Sequence, residues 1–131
     1  MSWTPAPETI AARSQALIDR ADAGSGHSTI EIYDASSPAP VRLCVLVLDK
    51  PCGQVINNLV RLKQKEAAGD FVDFDGEPAT CKWLDGNGHL VATGTVSGPD
   101  GDGDLRMRNR LGTAQMWAGG RAVLDTEHLI G

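Results

Sequence analysis

The spacing of apolar positions changes period once along this chain. Over residues 8–23, Ile10, Leu17, Ile18 and Ala21 recur at helical intervals, with Ser14 interrupting the same face. This predicts one amphipathic helix of about four turns, at ~3.6 residues per turn, packed on a sheet. Gly24 is a natural stop for it. Residues 1–7, with Pro5 and Pro7, read as an extended arm. Two helix starts are open: Thr4 as cap with Pro5 inside, or Pro7 at the first position.

Beyond the helix the period falls to two. Ile30 and Ile32 alternate with Thr29, Glu31 and Tyr33, and Val41 to Leu48 is a nearly continuous apolar run, as in a strand buried on both faces. Pro51, Gly53 and Asn57-Asn58 are expected to break the chain before a strand over Leu59 to Lys65 with Val60 and Leu62 inward. Lys65 to Pro78 reads as a long polar loop that carries Phe71 and Phe74. Those rings are either satellite core under the loop, the reading such loops favour, or anchors for a partner.

Asp85-Gly86-Asn87-Gly88 holds two dipeptides that tolerate the positive φ of tight hairpin turns. It predicts a hairpin with Ala79, Cys81 and Trp83 on one face, opposite Leu90, Ala92, Gly94 and Val96. Ser97 to Asp104 is a further turn, Leu105, Met107 and Leu111 share a face, and Arg121 to Ile130 follows the Gly119-Gly120 turn as a closing strand. About seven or eight strands with these turn spacings predict a mainly β fold, an antiparallel β-sandwich with the jelly roll as one form of it. Residues 8–131 form the single sandwich domain, with helix 8–23 leading it, behind the arm at 1–7.

Composition sharpens this picture. Aromatic residues are 5% of the 131, so Val, Leu, Ile and Ala must make most of the core. A formal net charge of −5 argues against nucleic acid or an anionic membrane as partner, and the run Leu43 to Leu48 is far too short to span a bilayer. Locally, Arg106, Arg108 and Arg110 alternate; they form either a solvated strand face or a docking stripe for an acidic protein. Trp3, in the arm, either contacts another subunit or folds back on its own helix. On the first reading the arm contributes to assembly more than to folding.

Candidates for chemistry fare less well. Cys44, Cys52 and Cys81 are odd in number and show no C-x-x-C spacing, which favours reduced thiols, with Cys44 and Cys81 in apolar strand candidates packed in the core. Asp100, Asp102 and Asp104 imitate the start of a calcium loop, but Leu105 and Leu111 stand where glycine and glutamate are required. His27, His89 and His128 have no metal-binding spacing, and no nucleophile signature is present. The expectation is a protein without enzymatic activity, cofactor, metal or small-molecule substrate.

Two segments carry a resemblance. Ala12 to Gly26 followed by Thr29-Ile30-Glu31-Ile32-Tyr33 resembles the start of a group of small tailed-phage and prophage proteins, in which a helix ending in Asp-Ala-Gly leads into a Leu-x-Ile-Tyr strand. Ala79 to Gly88 is similar to that group's Ala-Thr-Trp-x-Arg-x-x-Asp-x-x-Gly hairpin, although here Cys81 and Lys82 precede Trp83. The resemblance touches about half the chain, and its motifs are structural. It implies a bacteriophage structural protein of the virion, folded in the host cytoplasm. The first expectation is a capsid cement or decoration protein whose partners are the major capsid protein, itself, or both. A head–tail connector or tail component is the alternative, and a carbohydrate-binding sandwich module a third reading.

Overall fold

A computed structural model describes residues 4–98, 101–108, 115–125 and 129–130, with only the backbone of Arg108. Trp3 and Arg110 lie outside the described residues, as do Asp100, Leu111 and His128. The order is α1 (Pro7–Ala21), β1 (Thr29–Tyr33), β2 (Arg42–Ile56), β3 (Leu59–Gln64), β4 (Asp70–Phe71), β5 (Thr80–Leu84), β6 (Leu90–Ser97), β7 (Leu105–Arg108) and β8 (Arg121–Leu124). All eight strands join one curled sheet, a half-barrel in the order β3-β2-β1-β5-β6-β7-β8-β4. Its pairings are antiparallel except β6–β7, where Val96 and Leu105 run in parallel.

Pro7 opens the helix, with Ala6 in the cap position and its carbonyl accepting from Thr9 and Ile10 N–H. Glu8 in the first turn and Arg20 in the last complement the helix dipole. Ile18 and Ala21 are buried against the sheet. Ser14, which breaks the apolar pattern, is also buried: its hydroxyl donates to the Asn58 carbonyl at 2.8 Å and ties the helix to the β2–β3 turn.

β1 lies between β2 and β5. Ile30 stands opposite Leu46 on one side and Trp83 on the other, and Ile32 opposite Cys44 and Cys81. These two cross-strand rows are the centre of the core. Behind them Ser28, wholly buried, donates to the Leu84 carbonyl at 2.7 Å and accepts from Trp83 Nε1 at 2.6 Å. The indole N–H therefore enters the core with its partner.

β2 corrects two sequence expectations. It is not buried on both faces, since Cys44, Leu46 and Leu48 are sealed while Val45 and Val47 are half-buried. It also does not stop at Pro51 or Gly53. The register jumps from Leu48 opposite Gln64 to Gly53 opposite Leu62, so residues 49–52 bulge out and the strand changes partner from β1 to β3. Proline fits there because a bulge asks no ladder N–H of it. The Asp22 carboxylate accepts from Cys52 N–H at 3.0 and 3.2 Å, and Lys50 Nζ reaches the Gly24 and Gly26 carbonyls at 2.6 and 3.2 Å. The tight two-residue turn falls at Asn57 (φ 50°) and Asn58 (φ 68°), as a type I′ hairpin requires.

Asp85-Gly86-Asn87-Gly88 also turns the chain, by different means. Among its residues only Gly88 has positive φ (80°). The Asp85 carboxylate, 3% exposed as a residue, accepts from Asn87 and His89 N–H at 2.9 Å each, and its other oxygen pairs with Arg20 of the helix. Gly86 is pressed against the 23–26 connection; a Cβ there would collide with the Gly26 and Ala23 carbonyls.

The remaining corrections concern the far side of the sheet. The expected antiparallel order fails at β6–β7 because the Asp104 carboxylate accepts from Thr95 N–H at 3.0 Å and lays the incoming strand along β6. Residues 65–78 are not all loop: β4 pairs with β8, and the sheet curls until Val72 bridges back to Cys44 and Asp73 N–H donates to the Leu43 carbonyl at 2.8 Å. Gln64 adds three bonds, donating to Asp70 and the Ala122 carbonyl and accepting from Leu124 N–H. Among the described residues the closing strand runs over Arg121–Leu124, and Ile130 bridges to Val60.

Two outcomes test this frame. Ser28→Ala removes the acceptor of a buried indole N–H and should cost about 1–3 kcal/mol in chemical denaturation. Asp85 is held down to about 2, first by the His89 N–H and then by Arg20. Its folded value lies below the unfolded one, so its contribution is full above about pH 4 and fades as pH falls toward the folded value. Asp85→Asn should lower the melting temperature at neutral pH and flatten its fall between pH 4 and 2.

Candidate functional site

Among the described residues, the closing ribbon of the sheet carries the largest exposed apolar side chains. Segment 70–76 is bonded along segment 116–122: Val72 N–H donates to Gly120, Gly119 N–H to Val72, and Gly76 and Met116 exchange bonds of 3.0 and 2.8 Å. Asp75 Oδ1 accepts from Ala118 N–H at 2.7 Å. This ladder orders a stretch that composition alone leaves as loop. Val72, Met116 and Ala122 turn into the core. Phe71, Phe74 and Trp117 turn out, at 61%, 57% and 48% exposure. The satellite-core reading of the two phenylalanines is therefore corrected. The pleat that buries Val72 leaves Phe71 outside, and no further layer of chain among the described residues covers either ring.

Each aromatic side chain carries ~150–250 Å² of surface, so three at roughly half exposure offer on the order of 300 Å² of ring. An exposed apolar area of this size matches the largest patch of an ordinary monomer, which is often functional. Arg121 stacks on Phe71 at 3.8 Å from the ring centroid and donates to the Gly69 carbonyl at 3.0 Å, so that edge is braced. Exposed Asp73, Asp75 and Glu77 surround Phe74 and make the other end acidic. Among the described residues neither Asp73 nor Glu77 is in an ion pair.

The other anticipated residues do not join this ribbon. Arg106 lies on β7, opposite the faces of Leu105 and Met107, half-buried with an Nε that has no hydrogen-bond partner. Its expected companions Arg108 and Arg110 and the arm residue Trp3 fall where side chains are not described. Trp117 and the three acids were not singled out as a surface by sequence reasoning. The available signal was the interleaving of acid and aromatic in Asp70-Phe71-Val72-Asp73-Phe74-Asp75, which helical and strand periods do not explain.

The three cysteines are buried and free, and burial pushes the Cys44 and Cys52 thiols up to about 12 and Cys81 to about 11. They are protonated at neutral pH and pack as small apolar side chains. Among the described residues no His, Cys, Asp or Glu cluster is arranged to hold a metal ion. No protein-family model, curated protein or solved structure matches the chain.

Phe71→Ser, Phe74→Ser and Trp117→Ser should each leave thermal stability within about 0.5 kcal/mol of the parent, as expected for exposed positions. A loss of several kcal/mol would place that ring in the core.

Proposed function

We propose that this chain is a bacteriophage structural protein, foremost a capsid cement or decoration protein of the virion, with the aromatic ribbon as its contact surface. The observation that carries the reading is the exposure of Phe71, Phe74 and Trp117 on a segment ordered by its own backbone bonds. Rigid aromatic side chains bury large area at low entropic cost, which suits an interface. The resemblance of Ala12–Tyr33 and Ala79–Gly88 to tailed-phage proteins supplies the setting. In a shell, many copies of a modest contact give lasting attachment, because avidity replaces individual affinity. The role is mechanical, not catalytic. In this reading the curled sheet works as a flattened sandwich of the jelly-roll kind, since β1, β5, β7 and β8 all contribute to one core.

Particles of the phage whose genome encodes the chain should contain it, quantified against the major capsid protein. A copy number of hundreds supports cement, and about a dozen copies, one ring, supports a head–tail connector. Presence in the lysate with absence from particles would refute the virion role.

A further inference from the structure

We infer that a second copy of this chain docks on the acidic aromatic ribbon through a basic stripe on its own β3, making a head-to-tail contact. The inference rests on the ribbon being an interaction surface and not on a place in a virion.

Arg61 and Lys63 lie on the β3 face opposite buried Val60 and Leu62, and Lys65 continues the alternation one residue beyond the strand. Lys63 and Lys65 are exposed and Arg61 is half-buried. Together with Pro51 of the β2 bulge and Gly53 and Gln54 just after it, Arg61 and Lys63 rim a shallow groove. Among the described residues this stripe holds one ion pair, Lys63 with Asp49 at 3.4 Å. Both partners are solvent-exposed, so it competes weakly with an incoming carboxylate.

The ribbon offers the complement: exposed Asp73, Asp75 and Glu77 around exposed Phe74, with Trp117 beside them on the paired segment. The ribbon meets β2 near its start, and the stripe runs along the later part of the strand. Asp73 is bonded to Leu43, Lys65 N–H donates to the Val47 carbonyl, and Arg61 stands opposite Gln54. At about 3.3 Å per residue the Arg61 end of the stripe lies far from Asp73 along the strand, with Lys65 as its nearer end. Unlike patches that pair between copies make a heterologous contact, which closes into a ring or propagates.

A chain of net charge −5 repels its own copies at long range. Salt screens that repulsion and also the closer attraction between ribbon and stripe, so association through the local match is weakened by salt, whereas association through apolar area alone is strengthened. The aromatic area is well below the ~800 Å² per partner of a standard stable interface, so the pairwise contact is weak and concentration-dependent.

Sedimentation velocity of the purified full chain, over rising concentration at low and high salt, tests this. The wild type should shift to larger species with concentration and shift back with salt. D73K/E77K reverses the ribbon, and K63E/K65E reverses the stripe. Each alone should need at least tenfold higher concentration to associate. An equal mixture should recover association, because the reversed ribbon then faces the reversed stripe and the native ribbon the native stripe. Circular dichroism confirms that each variant is folded, and Phe74→Ser replaces D73K/E77K as the weakening variant if that one is not. A wild type that stays monomeric, association untouched by both reversals, or a mixture that stays dissociated would each overturn the proposal. Failure to find the chain in particles would not.

Discussion

Asp85 is the point at which the helix, the loop after it and the central hairpin are held together. Its carboxylate is nearly sealed from solvent and must be met by donors, or burying it would be prohibitive. The donors come from two directions: the backbone of its own turn and the guanidinium of Arg20 on α1. Next to it Gly86 N–H donates to the Ala23 carbonyl at 2.9 Å, so the hairpin tip is stitched to the helix exit. Ser28 continues the seam by linking the start of β1 to Leu84 and Trp83. The position of β1 between β2 and β5, and with it the two cross-strand rows of the core, depends on this seam.

A second constraint closes the sheet. β2 must serve β1 early and β3 late, and the bulge at 49–52 is where it changes partner. That leaves the early part of β2 with an unpaired edge, which Val72 and Asp73 take up from the far end of the sheet. Covering that edge removes a site of unwanted pairing. It also bears on how residues 70–76 face outward: once Val72 is committed to Cys44 and the core, the pleat turns Phe71 to solvent, and the bend at residue 74 leaves Phe74 exposed as well. The aromatic surface is thus a product of sheet closure and not an independent loop.

Sequence patterning worked best where the period was simple and the partners were local. The helix, the Ile30–Ile32 strand, Val60 and Leu62, the buried Trp83 and core Cys44 and Cys81 all follow from apolar spacing alone. It worked less well where a turn residue had a tertiary reason for being there. Pro51 and Gly53 look like breakers, yet side chains from elsewhere satisfy the bulge around them: Asp22 for Cys52 N–H, and Lys50 for the helix exit. Asp85-Gly86 looks like a two-residue turn, yet its aspartate is a buried acceptor and its glycine a contact point for another loop.

By itself the sequence determined the mainly β class, the leading helix, the faces of β1, β3 and β5 that enter the core, and the acidic balance. These depend on local period and residue type, which the chain carries in every window. Only the tertiary structure decided that β6 and β7 run in parallel, that the sheet curls back to β2, and that Phe71, Phe74 and Trp117 share one exposed ribbon. Each of those rests on a hydrogen bond between residues distant in sequence: Asp104 to Thr95, Asp73 to Leu43, and Gly76 to Met116. No local pattern encodes such a bond, because the partner of a backbone group is chosen by the whole fold.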